Sequence, residues 1–92
     1  MNIIVQYRIT IKGKVQGVNY RTSAQAIALK LGLNGFVRNQ HNGDVYMEAE
    51  GEEEALRKLV DWCIIGPARS EVSEVQAEPG VVKNFGGFEI RR

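Results

Sequence analysis

Residues 35–50 read GFVRNQHNGDVYMEAE, and their pattern decides the architecture. Gly35 to Gln40 and Asp44 to Glu50 are each short enough, and rich enough in Val, Phe and Tyr, to be strands. His41-Asn42-Gly43 between them contains Asn-Gly, a strong short-range hairpin signal. In the second strand Val45, Met47 and Ala49 alternate with Tyr46, Glu48 and Glu50. The alternation predicts one buried face and one wet face.

Outward from the hairpin the periodicity changes on both sides. Upstream, Ala24, Ile27, Ala28 and Leu31 fall at i, i+3, i+4 and i+7, predicting a helix from about Thr22 to Leu31 with Gly32 as its stop. Before it, Gln6 to Lys12 alternates, with Tyr7, Ile9 and Ile11 on one face. Downstream, Glu52 to Ile64 predicts a second helix. Its acidic start suits the helix dipole, its stripe is Ala55, Leu56, Leu59, Trp62 and Cys63, and Gly66-Pro67 ends it. Arg69 to Ala77 reads as a strand in which Val72 and Val75 are out of phase, so a bulge or a twist is expected. Pro79 to Gly87 reads as loop, and Phe88 and Ile90 mark a short last strand. The order βαββαβ predicts an α+β, two-layer α/β sandwich of ferredoxin-like type, with an antiparallel sheet and two helices on one face.

The chain has 92 residues, so residues 1–92 are expected to form one domain with a modest core. A net charge of +1 gives no whole-protein attraction to nucleic acid or to a membrane surface, so charge recognition must be local. The apolar runs are too short to span a bilayer, and the first ten residues lack the pattern of a signal peptide. A single cysteine, Cys63, excludes an internal disulfide. A cytoplasmic protein is the simplest expectation.

The chemistry concentrates in Gly13 to Arg21, GKVQGVNYR. Gly13 and Gly17 let the backbone bend and approach a ligand. No residue from Lys14 to Arg21 is proline, so every backbone N–H is available, and a bend of successive N–H groups makes an anion-binding concavity. The helix that follows adds its positive end. Arg21 adds a planar guanidinium that matches a pair of phosphate oxygens. A solvated arginine is the plainer reading, but a cation at a helix start opposes the dipole and so favours a bound anion. Asn39, taken alone, is a strand-ending residue.

The whole chain resembles the acylphosphatase family. The resemblance rests on GKVQGVNYR and on GFVRNQHNGDV, residues 35–45, with WCIIGP, residues 62–67, and the closing FEI as weaker supports. Acylphosphatases are small metal-free hydrolases of carboxyl-phosphate anhydrides. The resemblance implies that Arg21 binds phosphate and that Asn39 positions the attacking water. It also implies that backbone N–H groups of Val15, Gln16, Gly17, Val18, Asn19 and Tyr20, with Arg21, hold the phosphate oxygens. It implies a small acyl phosphate as substrate, phosphate or sulfate as competing anions, no metal or other cofactor, no nucleic-acid or membrane partner, and a monomer.

The residues fit that chemistry without the family. A carboxylate is a weak base, with a pKa of ~4–5, and leaves without a proton donor. Such a site needs anion binding and a placed water rather than an acid–base pair. A Walker loop is excluded because Lys14 is followed by Val15, not Ser or Thr. A phosphocysteine route is excluded because Val15 stands six residues before Arg21, where the thiol would be. His41 lies close to Asn39, but reads better as a solvated hairpin residue than as a base. Cys63 reads as core, and Glu52 to Glu54 as a helix start. A rival role, RNA binding through Phe36 and Tyr46 on the sheet, lacks the aromatic signature of such domains.

Overall fold

The computed structural model describes residues 3–92. Along the chain run β1 (Val5–Lys14), α1 (Tyr20–Lys30), β2 (Asn34–Asn39), β3 (Val45–Gly51), α2 (Glu53–Ile65), β4 (Glu71–Gly80) and β5 (Phe88–Arg91). The strands form one sheet in the order β4-β1-β3-β2-β5. The βαββαβ unit pairs antiparallel throughout, and β5 adds to its edge parallel to β2.

Alternation sends Ile9 and Ile11 of β1, Val37 of β2, and Val45, Met47 and Ala49 of β3 to the helix side, where all are fully buried. Ala24 and Ala28 of α1, and Leu56, Leu59 and Cys63 of α2, meet them. Small alanines on α1 let that helix lie close to the sheet. The large side chains on α2 fill the rest of the layer.

Of the two expected causes, a bulge explains the out-of-phase valines of β4. Lys12 pairs with Glu74 and Gly13 with Val72, so Ser73 is the extra residue of a bulge. Gly13 sits at φ 126°, and a Cβ there would collide with the Glu71 carbonyl oxygen. At the central hairpin the Gln40 N–H donates to the Asp44 carbonyl (2.8 Å) and the Gly43 N–H to that of Gln40 (3.2 Å). The loop is therefore three residues long, His41 to Gly43, with Gly43 at positive φ.

The wet face expected for β3 is not wet. Glu48 and Glu50 are only 7% and 3% exposed. The segment after β4 crosses this face. The Lys83 and Phe85 backbone N–H groups donate to the Glu50 carboxylate (2.6 and 3.2 Å), as does Gln6 Nε2 (2.8 Å). Lys83 Nζ and the Tyr46 hydroxyl donate to Glu48 at 2.8 and 2.7 Å. Burial alone would raise both carboxyl pKa values, but these donors outweigh it and leave both below the usual carboxylate range. Phe36 is covered in the same way, by the Phe85 ring and by the Arg91 guanidinium 4.0 Å above it. Neither Phe36 nor Tyr46 therefore stands out into solvent as a free stacking platform. Alternation identifies the second face of a strand but not what folds over it.

Candidate active site

Helix α1 begins at Tyr20, two residues before the start read from periodicity. Tyr20 lies four residues before Ala24 and is buried on the same stripe, so the 3.6-residue period itself extends back to this start. Asn19 is the cap residue, at φ 66° in the left-handed region, with no side-chain capping bond. Asn tolerates that conformation better than most residues. Gly17 takes the other positive φ of the loop, 74°. The first α1 N–H with an intrahelical acceptor is that of Ser23, bonded to the Asn19 carbonyl at 3.2 Å. The N–H groups of Tyr20, Arg21 and Thr22 find no acceptor among the described residues, and the first turn holds no acid. An uncapped, acid-free helix start is an anion site in waiting.

Tyr20 holds this helix end in place. Its ring packs on Trp62 with centroids 5.2 Å apart, and its hydroxyl donates to the Cys63 carbonyl at 2.8 Å. Burial first, and Cys63 second, push the phenol well above its ordinary pKa, so Tyr20 is a neutral structural donor. Burial also pushes the Cys63 thiol up to about 12, which fits its place in the core.

The cradle and the hairpin are tied by Gln16. Its Nε2 donates to the carbonyls of Gln40 (2.8 Å) and Asp44 (2.9 Å), the two residues that flank the turn. Asn39 immediately precedes Gln40. Its side-chain amide has no protein partner among the described residues and is left for solvent or substrate.

Val15, Gly17, Asn19, Tyr20, Arg21, Thr22 and Asn39 line one cleft of about 130 Å³. Arg21 and Asn39, read from separate motifs, thus meet. Gln16 and Val18 do not line it: the Gln16 side chain turns to the hairpin, and Val18 packs against the core. Thr22 lines it without having been singled out, as a consequence of the earlier helix start. Arg21 is further held by its Nη1, which donates to the Arg91 carbonyl at 3.1 Å, while Gln25 Nε2 donates to the Phe88 carbonyl at 2.9 Å. No sequence signal marks a backbone carbonyl as a partner. His41 is exposed at the loop tip and lines a neighbouring cleft, not this one. Among the described residues, no three His, Cys, Asp or Glu gather as a metal-holding group.

A family model described as Acylphosphatase matches residues 7–90. The chain belongs to the acylphosphatase family. An acylphosphatase of Acaryochloris marina is 45% identical over 89 residues, covering 97% of this chain and 96% of that one. The structure of an acylphosphatase from Coxiella burnetii superposes with a TM-score of 0.93 at 38% identity, covering 96% of this chain and 93% of that chain. The acylphosphatase of Bacillus subtilis gives the same TM-score at 35% identity, covering 96% and 99%. The acylphosphatase match spans both GKVQGVNYR and GFVRNQHNGDV, so it contains the cleft built by Arg21 and Asn39.

Proposed function

We propose that residues 1–92 form one acylphosphatase-like domain that hydrolyses acyl phosphates to a carboxylate and inorganic phosphate. The observation that carries the reading is the convergence of Arg21, Asn39 and an uncapped helix start on one small cleft. The Arg21 fork takes two phosphoryl oxygens. Backbone N–H groups between Val15 and Arg21 take the others and neutralise charge as it moves toward the leaving carboxylate. The Asn39 amide holds water in line with the scissile bond. A neutral amide suits this position, because a carboxylate beside the phosphoryl dianion would be repelled. Water attacks phosphorus directly, the carboxylate leaves unprotonated, and a phosphoryl oxygen of the substrate accepts the water proton. No metal and no covalent intermediate take part.

The protein is proposed to act in the cytoplasm as a monomer, without nucleic-acid or membrane partners. No helix among the described residues is long and apolar enough to cross a membrane. Hydrolysis of benzoyl phosphate, followed by absorbance, tests the reading. Turnover should persist after exhaustive chelation, with phosphate and sulfate as competitive inhibitors. Loss of turnover with EDTA that a divalent ion restores, or non-competitive phosphate inhibition, overturns it.

A further inference from the structure

Helix α1 reaches the edge strand β5 with two side chains. Arg21 Nη1 donates to the Arg91 carbonyl at 3.1 Å, and Gln25 Nε2 donates to the Phe88 carbonyl at 2.9 Å. The two residues stand four apart, so they share one side of the helix, a turn from each other. Strand β5 has four residues and a single strand neighbour, β2. It is entered through Gly86 and Gly87, where the backbone turns freely, with Gly87 at φ 79°.

The remaining contacts of β5 tie it to the sheet and the core. Phe88 is buried in the core, and the Gly35 N–H donates to the Gly87 carbonyl at 2.8 Å. The Arg91 guanidinium lies 4.0 Å over the Phe36 ring of β2. Among the described residues, the bonds from Arg21 and Gln25 are the only hydrogen bonds between α1 and β5. Gln25 is neutral and half-buried, and it does not line the cleft that Arg21 lines. It offers an anion no charge. What it controls is where β5, and with it the Arg91 carbonyl, stands relative to α1.

We infer that Gln25 is a positioning residue for phosphoryl binding: by pinning β5 to α1 at Phe88, it sets the Arg91 carbonyl that orients the Arg21 fork. The inference rests on the acyl phosphate reading above and adds a residue that lies outside both motifs carrying it. The guanidinium and the strand that supports it are fixed to one helix. Without Gln25, a short edge strand shifts against α1, and Arg21 alone must hold it. The fork then loses the fixed plane in which its free N–H groups meet two phosphoryl oxygens.

The test uses Gln25→Met, which keeps the length of the side chain and removes the donor, with Gln25→Ala as a second variant. Phosphate binding is read by calorimetry, and kcat and KM with benzoyl phosphate. Melting curves check that each variant is folded at the assay temperature. Both variants should weaken phosphate binding and lower kcat/KM by roughly tenfold, the loss expected when a binding group is misaligned. The Arg21 side chain is read directly by nitrogen-15 NMR. Separate Nη resonances, which require a held guanidinium plane, should be present in the unsubstituted protein and coalesce in both variants. Unchanged phosphate binding in both variants overturns the inference. So do losses that leave the Arg21 resonances as they were, because Gln25 would then act through the structure elsewhere. Phosphate binding without hydrolysis of benzoyl phosphate by the unsubstituted protein overturns the acyl phosphate reading alone. Absence of phosphate binding overturns both.

Discussion

The guanidinium of Arg21 donates from Nη1 to the backbone carbonyl of Arg91, 3.1 Å away and 70 residues along the chain. The anchor leaves the other guanidinium N–H groups for a ligand and fixes the plane in which they lie. A lysine at the same place keeps the charge, but one ammonium cannot meet a carbonyl and two phosphoryl oxygens in the same geometry. Arg21→Lys should therefore reduce kcat/KM nearly as far as Arg21→Ala, on the order of 10²-fold or more. Phosphate inhibition should weaken in both, while thermal unfolding changes little. Near-normal rates in the lysine variant would show that a point charge is enough.

Asn39 separates turnover from anion binding. If it orients water, its contribution lies in the transition state. Asn39→Ala should lower kcat and kcat/KM together by roughly 10²-fold, about 3 kcal/mol of barrier, with KM and phosphate inhibition nearly unchanged. Asn39→Asp should be no better, since the carboxylate is repelled by the bound dianion or protonated beside it. A folded Asn39→Ala protein with unimpaired kcat would remove Asn39 from the mechanism and make His41 the next residue to substitute.

Gln16 acts on the site only through position. Its two hydrogen bonds to Gln40 and Asp44 set the distance between the cradle and Asn39. Gln16→Ala removes one of the two hydrogen bonds at each carbonyl, since Asp44 still accepts from the Gln40 N–H and Gln40 from the Gly43 N–H, and should cost about 0.5–1.5 kcal/mol of stability for each bond lost. It should also lower kcat by roughly tenfold through loosened alignment. A purely structural role would shift the melting temperature but leave kcat, measured well below that temperature, as in the unsubstituted protein.

Glu50 makes the fold acid-sensitive. Its carboxyl, like that of Glu48, is held below the ordinary value of 4.5 in the folded protein. A lowered folded pKa contributes stability that is fully present above the unfolded value and is lost as pH falls through the folded value. The melting temperature should thus be flat with respect to these groups near neutrality and should fall below about pH 4.5. Glu50→Ala strands the donors of Gln6, Lys83 and Phe85, and should cost roughly 2–4 kcal/mol at neutral pH. It should also flatten the acid slope. A slope unchanged in this variant would place the acid sensitivity elsewhere.

The elements were largely legible in the sequence because each rests on a local period. Strand alternation placed Ile9, Ile11, Val45 and Met47 in the core, and the helical stripe placed Ala24, Ala28, Leu56 and Leu59 there. The Ser73 bulge was legible as a break in phase between Val72 and Val75. The period of α1 also reaches back to Tyr20, two residues before the expected start, and this shift brought Thr22 into the cleft.

By itself the sequence determined the strand and helix order, the inward faces, and the two motifs carrying Arg21 and Asn39. All of these follow from patterns within a dozen residues, where the backbone's own periods and side-chain types suffice. Only the tertiary structure decided that Gln16 bridges to the hairpin, and that Glu50 is buried under the segment after β4. It alone decided that the Arg91 carbonyl anchors Arg21, and that Gln25 ties the same strand to α1. These contacts join residues 24 to 70 positions apart. Their partners are backbone groups or covered faces, which have no signature in side-chain order and come into being only when the sheet brings them together.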